Sequence, residues 1–437
     1  MSEIMHVLEL ARQTPMVSDA DVVVVGAGPA GMAAALASAR SGARTRLIEA
    51  HGCLGGIWTA GLLTWMFEMG QPGIPLEITR RLDRRGAARV GANPNFYTYD
   101  IEQMKLLLEE MCVEAGVTLQ LHTRAAGVIT AGGRIDCVVT ESKSGRQAWR
   151  APCFIDATGD GDLAALAGCG YDVGREGSGE CQPMTYMALV AVRDAAVASP
   201  CISFWGGWSG HFDGHLQAVE RFLAEIRRAG VDPSYARPTL FHVRGNLLAL
   251  MVNHEYGVSA TDAVAITRAT VRGRAEVNRV VNGLRALGGM WEGLQLVATC
   301  EHIGVREGRR VHGLYTVTKD DLVAGRRHED AVCRVSFAVD VHCTNPAAGK
   351  GQEEPVVRTQ PYDIPLRALM ARDVGNLFLA GRCISGDFLA HSSYRVTGTA
   401  AATGQAAGVA AALSAKQGIP PASLKWADVA EALKTLT

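Results

Sequence analysis

Residues 21–49 constrain the fold more than any other stretch. DVVVVGAGPAGMAAALASARSGARTRLIE runs an apolar strand into Gly26-x-Gly28-x-x-Gly31, a helical pattern and a second strand ending in Glu49. Gly26 lets the chain leave the strand tightly, Gly28 lets backbone approach a pyrophosphate, and Gly31 lets helix and strand pack closely. The phosphates then face a helix N-terminus, where unpaired N–H groups and the helix dipole favour negative charge. Glu49, about 20 residues on, ends the strand Arg44–Ile48 and can accept hydrogen bonds from an adenosine ribose. The stretch reads as a βαβ dinucleotide clamp, with the kind of dinucleotide left open.

A chain of 437 residues with 48% hydrophobic content suggests two or three domains with more than one buried core. The net charge of −1 argues against a nucleic-acid partner. Arg80, Arg81, Arg84 and Arg85 read as a solvated helix face, and Glu and Gly interrupt the cluster of Arg306, Arg309 and Arg310. The first twenty residues carry acids and lack a basic start, a long apolar core and a small-residue cleavage site. No secretory signal is expected there, and the cytoplasm is the expected location. Residues 22–39 and 396–414 are long and apolar, but Gly and Ala dominate them with polar residues embedded, so each matches a buried element and no membrane partner is expected.

The eleven cysteines are scattered singly, without CxxC or a zinc or iron–sulfur spacing, and read as reduced, mostly buried thiols. His211-x-x-x-His215 has helical metal-ligand spacing, yet Phe212-Asp213-Gly214 reads as a loop leading into the helix Leu216–Ala229, so no metal is expected.

After the clamp, HGCLGGIWTAGLL at 51–63 is a Gly-rich turn able to pass beneath a planar cofactor. Residues 101–116 have helix composition and Val117–Thr123 reads as a strand. Gly127–Thr140 and Gln147–Asp156 suggest a small antiparallel sheet inserted into the nucleotide domain. Residues 171–345 change character, with Phe204-Trp205-Gly206-Gly207-Trp208, strand-like runs around Leu240–Val252, and amphipathic helices at 215–229 and 261–287. Asn376–Arg382 then reads as a buried strand ending in glycine, followed by a small-residue helix over Thr397–Ser414. The expected fold is α/β. A Rossmann-like domain with a central parallel sheet, from 1–170 and 346–437, is covered by a discontinuous α+β substrate or cap domain at 171–345.

With HGCLGGIWTAGL, DATGDGDLA, IGVREGRRVHGLYTVTKDD and NLFLAGRCISGDFLAHSSYRVTGTAAATGQAAG in view, the chain resembles FAD-dependent oxidoreductases of the glutathione-reductase-like flavoprotein superfamily. Within it, the chain is similar to the family related to the heterodisulfide reductase flavin subunit. The resemblance implies FAD as cofactor, its ADP half on Gly26, Gly28, Ala30, Gly31, Glu49 and Ala50, with Arg124 and Ala125 near the adenine. It also implies cofactor contacts from Gly55, Gly56 and Thr59, from Thr158, Gly159 and Asp160, and from Gly381. Gly398 and Thr399 begin the helix that points at the pyrimidine side of the flavin, where backbone N–H groups would stabilise developing negative charge. Many members of the superfamily follow the late glycine with Asp. Here Arg382 follows Gly381, and it can neutralise the pyrophosphate instead.

No second GxGxxG and no redox cysteine pair appear, so an organic substrate stacked directly on the flavin is expected, with oxygen or another acceptor closing the cycle. Asp387–Arg395 reads as a polar loop beside the flavin. His391 has the pKa range to exchange a proton, and Arg395 can hold a carboxylate, an enolate oxygen or FAD itself. Tyr394 and Arg306 are weaker candidates, a surface ion pair with Glu307 explaining Arg306 nearly as well. Cys53 and Cys383 are either inert thiols or sites of a cysteinyl-flavin. Trp205, Trp208, Tyr186 and His242 either line a cavity or fill the core. An electron-transfer subunit of a larger redox complex and a NAD-dependent dehydrogenase are the competing functions. Substrate identity is open, and so is a homo-oligomer.

Overall fold

In the computed structural model, described for residues 7, 11–90, 96–205, 213–353 and 357–436, the clamp folds as its pattern dictates. Val22–Val25 (β1) is four buried valines, as suits a strand covered on both faces. Pro29–Arg40 (α1) carries its proline in the first turn, where no backbone N–H is needed, and Thr45–Ile48 (β2) follows. Ile101–Glu114 (α2), capped by the Asp100 carboxylate, leads into Thr118–Gln120 (β3). Cys153–Asp156 (β4) and Leu377–Leu379 (β5) complete an all-parallel sheet of order β5-β4-β1-β2-β3. Val24 pairs with Leu47 on one side and with Ile155 on the other. This is the Rossmann-like α/β core.

Phe388–Tyr394 (α3) and Thr397–Gln417 (α4) close the chain against that core. α4 is buried almost all round, since Ala, Gly and Thr leave it no polar face. Its approach to α1 is close enough that a Cβ on Gly404 would lie 2.0 Å from the Ala30 carbonyl oxygen, and one on Gly408 2.2 Å from that of Ala34. Larger residues at those positions would force the helices apart. The segment expected as a polar loop at 387–395 is instead mostly helical, because the Asp387 side chain accepts from Ala390 N–H and caps α3.

Between β3 and β4, the strands Arg124–Ala131, Arg134–Ser142 and Gly145–Arg150 form the expected antiparallel insertion, joined at one edge by Met16–Val17. A five-stranded sheet covers the cleft, in the order Ile202–Ser203, Thr239–Arg244, Leu247–Met251, Ala188–Ala191, Gln295–Thr299. The helices Asp213–Arg228 and Ala263–Leu287 belong to the same region. Ala331–Val335 pairs with Tyr362–Pro365 and so binds this part of the chain to the residues preceding β5. Among the described residues no helix is long and apolar enough to cross a membrane.

Candidate active site

The βα turn after β1 is held by close backbone contacts. Gly26 has φ +92°, and a Cβ there would lie 2.5 Å from the Ala157 carbonyl oxygen. A Cβ on Gly31 would lie 1.7 Å from the Gly26 carbonyl oxygen, so both positions require glycine. At Gly28 a Cβ would meet nothing within 4 Å on the protein side. That is the open cradle a diphosphate needs. The Glu49 carboxylate closes the turn, accepting from Ala27 N–H at 2.6 Å and from His51 N–H at 2.9 Å. Gly55 N–H donates to the Ala27 carbonyl at 2.8 Å, which folds the 51–63 turn back beside Gly28.

The turn after β4 has its own anchor. Buried Asp156 accepts from Thr158 N–H, Thr158 Oγ1 and Ala164 N–H, which fixes Thr158 and Gly159 at the cleft. Burial pushes the Asp156 carboxyl up to about 6. Arg382 lies with Nη1 3.0 Å from Asp160 Oδ1, an ion pair without hydrogen-bond geometry. Burial raises the Asp160 pKa, and Arg382 opposes the rise.

A cleft of about 1780 Å³ runs from this turn to the underside of the five-stranded sheet. Gly26, Gly28, Ala30, Glu49, Ala50 and Gly56 line one end, with Arg124 and Ala125 beside them. Thr158, Gly159, Asp160, Gly381 and Arg382 line it as well. Gly31, Gly55 and Thr59 do not; they shape the turns from behind. At the start of α4, Thr397 and Ala400 reach the cleft, whereas Gly398 packs against Glu68 backbone and Thr399 is fully buried. Among the described residues the Thr397 and Thr399 hydroxyls both lack a partner.

The two catalytic candidates separate. Arg395 lines the cleft and donates to the Asp340 carbonyl at 2.9 Å and to Asp340 Oδ2 at 3.0 Å. His391 has no exposed surface, does not line the cleft, and neither ring nitrogen is hydrogen-bonded among the described residues. Burial, then Arg310, Arg395 and Arg382, push its pKa well below the usual histidine range. Its place on a capped helix turns it inward toward Tyr394, 5.5 Å away between ring centroids.

Arg306 is no surface residue: it lines the cleft, while Glu307 is buried and pairs with Arg310 at 2.7 Å. Tyr186 and His242 do not line the cleft. Tyr186 bonds the Cys300 carbonyl, and His242 bonds Gly245. Trp205 lies outside the lining, and Trp208 and His211 fall outside the described residues. Cys53 and Cys383 also stand off the cleft, and burial raises both thiol pKa values.

Sequence reasoning missed Asp340, His342 and Tyr235, all at the cleft. His342 Nε2 lies 3.3 Å from Asp340 Oδ2, and its buried Nδ1 has no partner among the described residues. Burial, then Arg306, lower His342 to about 4, against the pull of Asp340. Burial opposes ionisation of Asp340, yet His342, Arg395 and Arg306 hold its pKa well below the usual carboxylate range. One signal was available. Tyr235, Arg237, Thr239 and Phe241 recur at every second residue into a strand, and all four line the cleft.

A family model for FAD dependent oxidoreductase matches residues 21–433. The chain belongs to that family. FAD is the cofactor of this oxidoreductase, and the open cradle at Gly28, the partnerless Thr397 hydroxyl and the Arg382 charge suit it. Similar curated proteins include the thiamine thiazole synthase of Methanococcus vannielii, 30% identical over 37% of this chain and 65% of that one. That of Aeropyrum pernix is 32% identical over 27% of this chain and 43% of its own. The chain thus spans less than two thirds of the length of either relative. A solved structure, a geranylgeranyl bacteriochlorophyll reductase-like protein from Thermoplasma acidophilum, is 13% identical with a TM-score of 0.45, over 96% of this chain and 82% of that one.

Proposed function

We propose that this FAD dependent oxidoreductase catalyses hydride transfer between a small organic substrate and the flavin, with oxygen or another acceptor closing the cycle. One observation carries the reading. A single cleft runs from Gly26 and Glu49 to Phe241 and Asp340, so cofactor-holding and substrate-facing groups share one continuous space.

When bound, FAD supplies the electron-accepting ring system. The chain's part is to hold, orient and exclude. Gly28 leaves room for the diphosphate, Arg382 brings positive charge beside it, and the N-terminus of α4 favours negative charge near Thr397. Trp65, Phe67 and Phe241 present apolar surface that displaces water from the substrate end. His342, held beside Asp340 at the cleft with its pKa lowered to about 4, is the group that takes the proton leaving the substrate. His391, walled off from the cleft, has a structural part in this scheme. The narrower likeness to the heterodisulfide reductase flavin subunit stays within the proposal and rests on the sequence stretches alone.

The test is anaerobic mixing of the yellow protein with a panel of small donors, then admission of air. Bleaching of the flavin band by a donor, followed by its return, is the expected result. A protein that no donor bleaches, yet which accepts electrons from a ferredoxin-like partner, would make it an electron-transfer subunit instead.

A further inference from the structure

Of the six arginines that line the cleft, three have carboxylate partners among the described residues. Arg309 pairs with Asp162, Arg382 with Asp160 and Arg395 with Asp340. Arg306 differs. Its Nη1 donates to the Pro183 carbonyl at 2.6 Å and to Thr185 Oγ1 at 2.8 Å, both uncharged. Among the described residues no carboxylate comes within the 4.0 Å of an ion pair with it. Arg237, also on the cleft, bonds the neutral Gln352 side chain. Burial, then Arg395, lower the Arg306 pKa only to about 10, so it keeps its charge at neutral pH. Asp340 acts on this half-buried guanidinium only from beyond ion-pair distance, and an anionic ligand in direct contact would be favoured there.

Flat apolar surface lines the same cleft as this charge. Trp65 stacks on Phe204 with centroids 4.0 Å apart and planes 6° from parallel, and Phe67 meets Phe337 at 5.0 Å. Trp65, Phe67, Phe204 and Phe337 all line the cleft. Phe204 holds φ +57°, a left-handed conformation unusual for a bulky residue. Phe337 and Asp340 are three residues apart, so the aromatic wall and the charged end lie within about 11 Å along the chain. Tyr235, Arg237 and Phe241 repeat the same mixture of ring and charge on one face.

We propose that the substrate is an aromatic or conjugated organic acid, its carboxylate on Arg306 and its plane against the wall of Trp65, Phe67 and Phe337. The proposal rests on the reading of this cleft as the substrate site. The cofactor's diphosphate is the competing anion. It has Arg382, whose Nη2 would lie 2.7 Å from a Cβ on Gly159, at the nucleotide turn, whereas Arg306 is anchored on Pro183 and Thr185.

The test titrates FAD-loaded protein with benzoate, cinnamate and the corresponding amides, reading heat and the shift of the flavin band. The acids are expected to bind at least about tenfold more tightly than the amides. Arg306→Gln is expected to abolish that preference while keeping FAD, and Arg306→Lys to keep part of it. Equal binding of acid and amide, or no acid binding up to about 10 mM, overturns the proposal. So does Arg306→Gln that sheds FAD with the acid preference unchanged on reloading. Acid binding to a protein that no donor bleaches would sustain the anion site and sink the hydride-transfer reading. Bleaching by neutral donors alone would do the reverse.

Discussion

Arg395 donates to both the backbone carbonyl and the carboxylate of Asp340, and so ties the turn before α4 to the segment lining the opposite side of the cleft. The two side chains are 12% and 22% exposed, which leaves solvent little room to screen them. Asp340→Ala strands a charged guanidinium with its remaining backbone partner. A loss of about 3 kcal/mol is expected in chemical denaturation. A change below about 0.5 kcal/mol would show that the pair is solvated.

Gly404 sets the separation of α1 and α4. Gly404→Ala would push a methyl against the Ala30 carbonyl, and we expect a loss of about 3 kcal/mol together with weaker FAD retention, since α1 carries the glycine turn. Thermal melts and flavin content after gel filtration check it. An alanine variant that melts like the wild type would mean the helices can part at little cost.

Glu49→Gln leaves the fold's apolar contacts alone but weakens the acceptor of Ala27 N–H and His51 N–H. Hydrogen bonds to a charged group contribute about 1.5–3 kcal/mol, so FAD affinity should fall by roughly tenfold to a hundredfold. Fluorescence titration of the apoprotein measures it, and unchanged affinity would remove Glu49 from the cofactor site.

Three cleft histidines set an acid limit. Burial, as the largest cause, lowers His215, His302 and His342 from 6.5 to about 4. Between those values the unfolded chain binds more protons than the folded one, so stability is complete above pH 6.5 and is lost as pH falls through about 4. The melting temperature should drop across that window, less so in His302→Gln. A flat profile would mean these rings are solvated.

What the sequence reveals follows from how local each feature is. The clamp at 21–49 is written in one stretch: Gly26 and Gly31 answer to backbone contacts within the βαβ unit or at Ala157, and Gly28 to open space. The parallel order of β4 and β5 beside β1 follows from buried runs ending in turns. The substrate end is different. Tyr235, Arg306 and the pair Asp340 and His342 come from three separate segments, and no spacing announces that they meet at one cleft. His391 was misplaced by a local detail, because Asp387 caps a helix that buries the ring. Of the two places open to His242 it takes the core, one residue along the strand from Phe241, which does face the cleft.

The central claim is that one cleft holds cofactor and substrate side by side. A crystal structure of the FAD-loaded protein measures this directly. The account predicts adenosine beside Glu49 and Arg124, diphosphate over Gly28, and the flavin ring toward the cap sheet with the Arg306 arm left free for an organic acid. FAD filling the Arg306 arm, or a flavin ring turned away from Asp340 and His342, would contradict it.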